Sequence, residues 1–254
     1  MAYTTVIESR KESTGIRRIN YTNMKKFLIS LSLICLVIAL QATHLTAQSV
    51  EDPDPLRFEK QIEEFRQWDL RNATPDSPVL FVGSSSIRLW RTASAFPDYP
   101  VINRGFGGSH LSDVLYYYDD LFGPYEPAVV VFYEGDNDVA SGKPADQVLE
   151  DYNELISRLL SDHPDTQFIY LPIKPSPSRW HHWETMAEVN RRIKEINSED
   201  PRLHYVDLAT PMFGSDGIPD ASLLLDDQLH LNEDGYEVWN RILEPELARI
   251  SGAR

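Results

Sequence analysis

Short apolar runs alternate along most of the chain with longer stretches in which apolar residues recur every three or four positions. The runs are PVLFVG at 78–83, VIN at 101–103, AVVVFYEG at 128–135, QFIYLPI at 167–173 and LHYVDL at 203–208. Each is too short for a buried helix and is bounded by turn residues, so each reads as a strand covered on both faces. Helical spacing predicts an opening amphipathic helix over 56–71, carrying Phe58, Ile62, Phe65 and Leu70. Further helices are predicted over 112–121, 145–161, 183–197 and 232–250. Strands alternating with helices predict an α/β fold on a sheet of about five parallel strands, because a helix makes the crossover between parallel strands most easily. Ligands of such sheets bind beyond the carboxyl ends of the strands, so the residues just after each strand are where chemistry is expected.

The first 47 residues do not fit this alternation. Met24-Lys25-Lys26 precedes the fourteen-residue run FLISLSLICLVIAL at 27–40 and the polar QATHLTAQ. That is the charged start, apolar middle and small-residue exit of a secretory signal peptide, and a spanning helix needs about 20 apolar residues. Residues 24–47 are therefore read as a signal peptide cleaved after Ala47, residues 1–23 as an upstream extension, 48–55 as a lead-in and 56–254 as one domain. Localisation outside the cytoplasm, with no membrane span after processing, follows from this reading. Ser32 and Ile34 stand where a lipid-attachment box before Cys35 would carry a leucine and a small residue, which argues against a lipoprotein.

Removing residues 1–47 takes away six Lys/Arg and two Asp/Glu and moves the formal charge from −15 to −19. Such a surface repels polyanions and disfavours nucleic acid as a partner. Cys35 is the single cysteine, so the processed chain has no thiol nucleophile and any nucleophile must be an oxygen.

Four clusters stand at strand ends. Gly83-Ser84-Ser85-Ser86 follows the first strand; a serine there can act as a nucleophile, cap a helix or help cradle a phosphate. The second strand runs into the glycine-rich NRGFGGS at 103–109, which matches neither GxGxxG nor GxxxxGK[ST]. After the third comes Glu134-Gly135-Asp136-Asn137-Asp138, where Asn137 can donate to a developing oxyanion or simply make a turn. Before the last helix, DDQLH at 226–230 sets Asp227 three residues ahead of His230, a spacing that lets the carboxylate fix the imidazole tautomer.

Together and in this order the clusters resemble the four blocks of the SGNH hydrolases, also called the GDSL esterase/lipase family, over nearly all of 56–250. GSS at 83–85 stands for the GDS block, GFGGS at 105–109 for the glycine block, GDND at 135–138 for GxND and DDQLH at 226–230 for DxxH. The resemblance implies a three-layer α/β/α flavodoxin-like fold and an esterase acting through an acyl-enzyme. It implies Ser85 as nucleophile, His230 as base, Asp227 as its orienter, and Ser85, Gly108 and Asn137 as oxyanion donors. No metal or organic cofactor enters that chemistry. Trp90, five residues after Ser85, selects Ser85 over Ser84 and Ser86. Ser84 departs from the family, which carries an aspartate there.

Two rivals remain: a phosphate- or nucleotide-acting hydrolase using Asp136 and Asp138, and a non-catalytic carbohydrate- or lipid-binding module on the same fold. The segment LPIKPSPSRWHHW at 171–183 makes Arg179 and Trp180 candidate substrate-binding residues. Aromatic rings beside a cation suit a sugar or a polar acyl ester and equally suit ordinary packing over the sheet edge; with no long apolar lid in the sequence, the reading is short acyl groups, such as acetyl esters of carbohydrates.

Overall fold

The structure, a computed structural model, describes residues 49–252. The expected upstream extension and signal peptide lie outside the described residues. Five strands form one parallel sheet: β1 (Val79–Gly83), β2 (Val101–Gly105), β3 (Val129–Tyr133), β4 (Gln167–Tyr170) and β5 (Leu203–Tyr205). Their spatial order is β2-β1-β3-β4-β5, the flavodoxin-like order, whose connections reverse direction between β1 and β3 and leave a crevice beyond their carboxyl ends.

The helices in chain order are α1 (Glu59–Arg71), α2 (Ser85–Arg88), α3 (Thr92–Ala95), α4 (Leu111–Tyr116), α5 (Tyr118–Leu121), α6 (Asp136–Ala140), α7 (Ala145–Asp162), α8 (Trp183–Asn197) and α9 (Glu233–Ser251). Alternate residues of each strand point to opposite faces, and both faces are covered. Leu80, Val82, Val130, Phe132 and Phe168 pack under residues of α1, α4, α7 and α8. Phe81, Val131, Tyr133 and Ile169 pack under Trp90, Phe96 and the α9 residues Trp239, Leu243 and Leu247. Two buried layers explain why the strands read as continuous apolar runs.

Several elements end where local chemistry stops them. β4 stops at Tyr170 although the apolar run continues to Ile173, because Pro172 has no N–H to give a ladder. The helix expected over 112–121 is two helices, with Tyr117 at φ −96° and ψ 19° between them. α9 begins at Asn232, whose side chain accepts from the Gly235 N–H at 3.0 Å, and ends at Gly252 in the left-handed region, φ +67°.

Residues 49–55 of the lead-in also belong to the folded body. Gln147 exchanges two hydrogen bonds with the Val50 backbone, at 2.9 and 2.7 Å. Asp52 pairs at 2.5 Å with Lys143, which is buried and also meets Asp138 at 2.9 Å and Asp151 at 3.3 Å. Burial works against the Lys143 ammonium, but these carboxylates outweigh it and raise its pKa. Among the described residues no helix is long and apolar enough to cross a membrane.

Candidate active site

The crevice beyond β1 and β3 collects the four clusters. β1 ends at Gly83, where φ is +145° and a Cβ would come within 2.1 Å of the Tyr133 carbonyl oxygen. Only glycine permits that approach, which lets the chain turn sharply into α2. Ser84 caps α2 by its backbone: its carbonyl accepts from Ile87 and Arg88, and its own N–H donates to Tyr133 O. The Ser84 hydroxyl is buried without a hydrogen bond, and Ser86 is buried beside the Tyr133 hydroxyl. Ser85 stands between them at the first position of the helix, and its Oγ lies 3.0 Å from His230 Nε2. Trp90 anchors this segment from below, buried against Phe81, Phe96 and Trp239 with its indole N–H donated to Asn240 at 2.7 Å.

His230 Nδ1 lies 2.6 Å from Asp227 Oδ2. An ionised carboxylate only accepts, so Nδ1 carries the proton and Nε2 is left to accept from the Ser85 hydroxyl. Asp227 Oδ1 also accepts the Leu229 and His230 amides, each at 2.9 Å. Desolvation alone would raise the Asp227 pKa; the His230 ring and the two amides reverse that and hold it at about 2. The carboxylate thus stays charged opposite any imidazolium that forms.

The glycine-rich loop between β2 and α4 places Gly108 at φ +88° with open space where a side chain would stand, so its backbone can approach a ligand closely. Ser109 is braced from two sides. Its carbonyl accepts from Asn137 Nδ2 at 3.0 Å. Its hydroxyl donates to Phe106 O at 2.8 Å and meets the buried Glu134 carboxyl. Serine has one hydroxyl proton, so the second bond requires a proton on Glu134. Burial, reinforced by the neighbouring Asp138, holds the Glu134 pKa well above the carboxylate range, as that arrangement demands.

Asn137, in α6, accepts at Oδ1 from the Arg179 guanidinium at 2.8 Å. Arg179 also pairs with Asp136 at 3.1 Å, so its donors face the β3 loop. Asp138 turns the other way, accepting from Lys143 and from the Leu111 N–H. Both carboxylates of the phosphate-acting alternative are thereby engaged in holding loops. Trp180 is partly exposed, its ring stacked on Trp183 at 6.0 Å and 14°. A cavity of about 410 Å³ borders the His230 loop, lined by Leu89, Trp90, Leu225, Leu231 and Tyr236.

Motif reading brought the residues of all four clusters to one crevice. It did not foresee Glu134, Lys143 or the contacts of Arg179, since these depend on burial and rotamer rather than spacing.

A hydroxyl, an imidazole and a carboxylate in hydrogen-bonded series, beside a loop and an amide able to donate, are the parts of an acyl-transfer hydrolase. The model of the GDSL-like Lipase/Acylhydrolase family matches residues 88–238, and the chain belongs to that family of carboxylic ester hydrolases. No curated protein matches it. Among solved structures it is similar to a proposed acylhydrolase from Bacteroides fragilis, at 21% identity over 79% of this chain and 100% of that one, with TM-score 0.65. A GDSL-like lipase from Bacteroides thetaiotaomicron gives 20% identity, 74% and 97% coverage and TM-score 0.65. A catalytic mutant of an acetylxylan esterase from Geobacillus stearothermophilus gives 16%, 72%, 98% and 0.55. At these identities the likeness establishes a shared fold.

Proposed function

We propose that the protein is a secreted serine esterase that removes short acyl groups, with acetylated carbohydrates as its substrate class. The observation that carries the assignment of roles is the continuous series Ser85 Oγ, His230 Nε2 at 3.0 Å, and His230 Nδ1 to Asp227 at 2.6 Å. His230 Nε2 takes the Ser85 proton as Oγ bonds to the ester carbonyl carbon. The Ser85 and Gly108 N–H groups and the Asn137 amide hold the oxyanion. The C–O bond to the alcohol then breaks, and the alcohol leaves with the proton from His230. Water attacks the acyl-enzyme with His230 again as base, and the acid departs as Ser85 recovers its proton.

The substrate reading is supported by the exposed Trp180 ring, which follows Arg179 in sequence and packs with Trp183 and Phe213, since an aromatic surface suits a sugar ring. The acetylxylan esterase named above shares the fold. Export rests on the sequence of residues 24–47.

Turnover of p-nitrophenyl esters from acetate to octanoate, and acetate release from acetylated xylan, test the substrate. Activity should fall steeply with acyl length and vanish in a folded Ser85→Ala variant. Retained turnover by that variant would reject the assignment of the nucleophile, and a preference for octanoate would reject the acyl class. Sequencing the amino terminus of protein recovered from the medium or periplasm tests the export reading.

A further inference from the structure

The proposed chemistry leaves Ser178 and Arg179 without a role, yet these adjacent residues touch both halves of the machinery. The chain leaves β4 through Pro172, Pro175 and Pro177, and Asn190 of α8 bonds both the N–H and the carbonyl of Ile173 at 2.8 Å. With φ fixed at each proline and the start of the segment held, the exit delivers its next residues to fixed places. Ser178 donates from its N–H at 3.2 Å and its hydroxyl at 3.0 Å to the Gln228 carbonyl, between Asp227 and His230 in sequence. Gln228 has φ +58°, a conformation that a non-glycine residue keeps where its surroundings fix it. Arg179, one residue on, reaches Asn137.

The Asn137 amide has two faces, and its neighbours dictate which way it points. A guanidinium can only donate and the Ser109 carbonyl can only accept. The oxygen must therefore face Arg179 and the nitrogen Ser109, which leaves the second Nδ2 proton for the substrate oxyanion. Without Arg179 the amide loses one of the two contacts that disfavour its rotation, and only the Ser109 carbonyl still orients it. We propose that Arg179 is a positioning residue that fixes the Asn137 oxyanion donor, and that Ser178 holds the Asp227–His230 loop in register with it. Arg179 then acts through Asn137 and not by binding substrate. This rests on Asn137 serving as an oxyanion donor, as proposed above.

A double-mutant cycle separates the possibilities. In p-nitrophenyl acetate hydrolysis, Arg179→Ala should lower kcat by about 10- to 30-fold, short of the roughly 10²–10³-fold expected for losing the donor in Asn137→Ala, and KM should hold within about twofold. Arg179→Lys should recover only part of the rate, because a point charge lacks the planar fork. In the Asn137→Ala background, Arg179→Ala should change kcat by less than about twofold. Ser178→Ala, which keeps the backbone bond, should lower kcat a few-fold with or without Asn137.

Multiplying losses in the Arg179/Asn137 pair, or a raised KM at unchanged kcat, would overturn the proposal. If Ser85→Ala and Asn137→Ala lose activity while Arg179→Ala keeps it, only the positioning role fails. If Asn137→Ala is fully active, the donor assignment falls and the role of Arg179 with it. Should Arg179→Ala fail to fold, Arg179→Gln in the same cycle gives the same comparison.

Discussion

Asp138 accepts the Leu111 N–H on both carboxylate oxygens, each at 3.2 Å, and so ties the helix that carries Asn137 to the end of the loop that carries Gly108. The same carboxylate holds the buried Lys143 ammonium at 2.9 Å. Asp138→Ala leaves Asp52 and Asp151 on the ammonium but removes its fully buried partner and strands the Leu111 N–H, so it should destabilise the fold by about 1–3 kcal/mol. Urea denaturation measures this. A loss under about 1 kcal/mol, the range of an exposed pair, would show that Lys143 does not need Asp138.

Ser84 presents the opposite case. Its side chain is fully buried and its hydroxyl makes no hydrogen bond, while its backbone does the capping. A buried unpaired hydroxyl costs about 1–3 kcal/mol, so Ser84→Ala should leave kcat/KM within about twofold and keep or raise stability. A large loss of activity would mean that the hydroxyl contributes to the turn in a way its surroundings do not show.

Asp227 should matter for rate and little for stability, since about half of its side chain is exposed. Asp227→Asn keeps the shape but removes the charge and favours the wrong imidazole tautomer, which in such series lowers kcat by up to about 10⁴-fold. The pH sign follows from its depressed pKa. Its folded-state stabilisation is complete above the ordinary value of 3.8 and is lost as pH falls toward about 2. Loss of activity above pH 4 therefore should not trace to protonation of Asp227, and kcat/KM against pH in wild type and Asp227→Glu tests this.

His110 carries a second pH dependence. Burial, helped by Lys143, lowers its pKa to about 4. Between about pH 6.5 and 4 the unfolded chain binds a proton that the folded one refuses, so its contribution to stability falls as pH falls, by at most about 1.4 kcal/mol per unit. Asp151, raised to about 6 mainly by burial, has the opposite sign in much of this window. The difference between wild type and His110→Gln isolates the histidine. Wild type should lose about 1–2 kcal/mol relative to the variant between pH 7 and 5 by urea denaturation; a constant difference would refute the assignment.

How far the sequence could be read depends on which interactions decide each element. β1 and β3 are buried on both faces, so their apolar runs announced them. α2, α3 and α6 are four or five residues long, too short for any periodicity, and are set by Gly83, Gly135 and the packing of Trp90. The Ser85, Asn137, Asp227 and His230 cluster was legible because Ser85 and Asn137 stand at the start of short helices just after β1 and β3 and the Asp227–His230 turn lies just ahead of α9, where sequence order and sheet topology fix position. The facing of Asn137 toward Arg179, the proton on Glu134 and the pairing of Asp52 with Lys143 were not. They arise from side chains far apart in sequence meeting in low dielectric, which no local pattern encodes.

The two-way bond between Gln147 and Val50 has a practical corollary for making smaller versions of this enzyme. A chain trimmed to start at Leu56 would look reasonable from periodicity alone, yet it would strip Asp52 from the Lys143 ammonium and open that charge to one side. The shortest useful version should keep 49–55, and a purification handle placed ahead of those residues would leave their grip on α7 untouched.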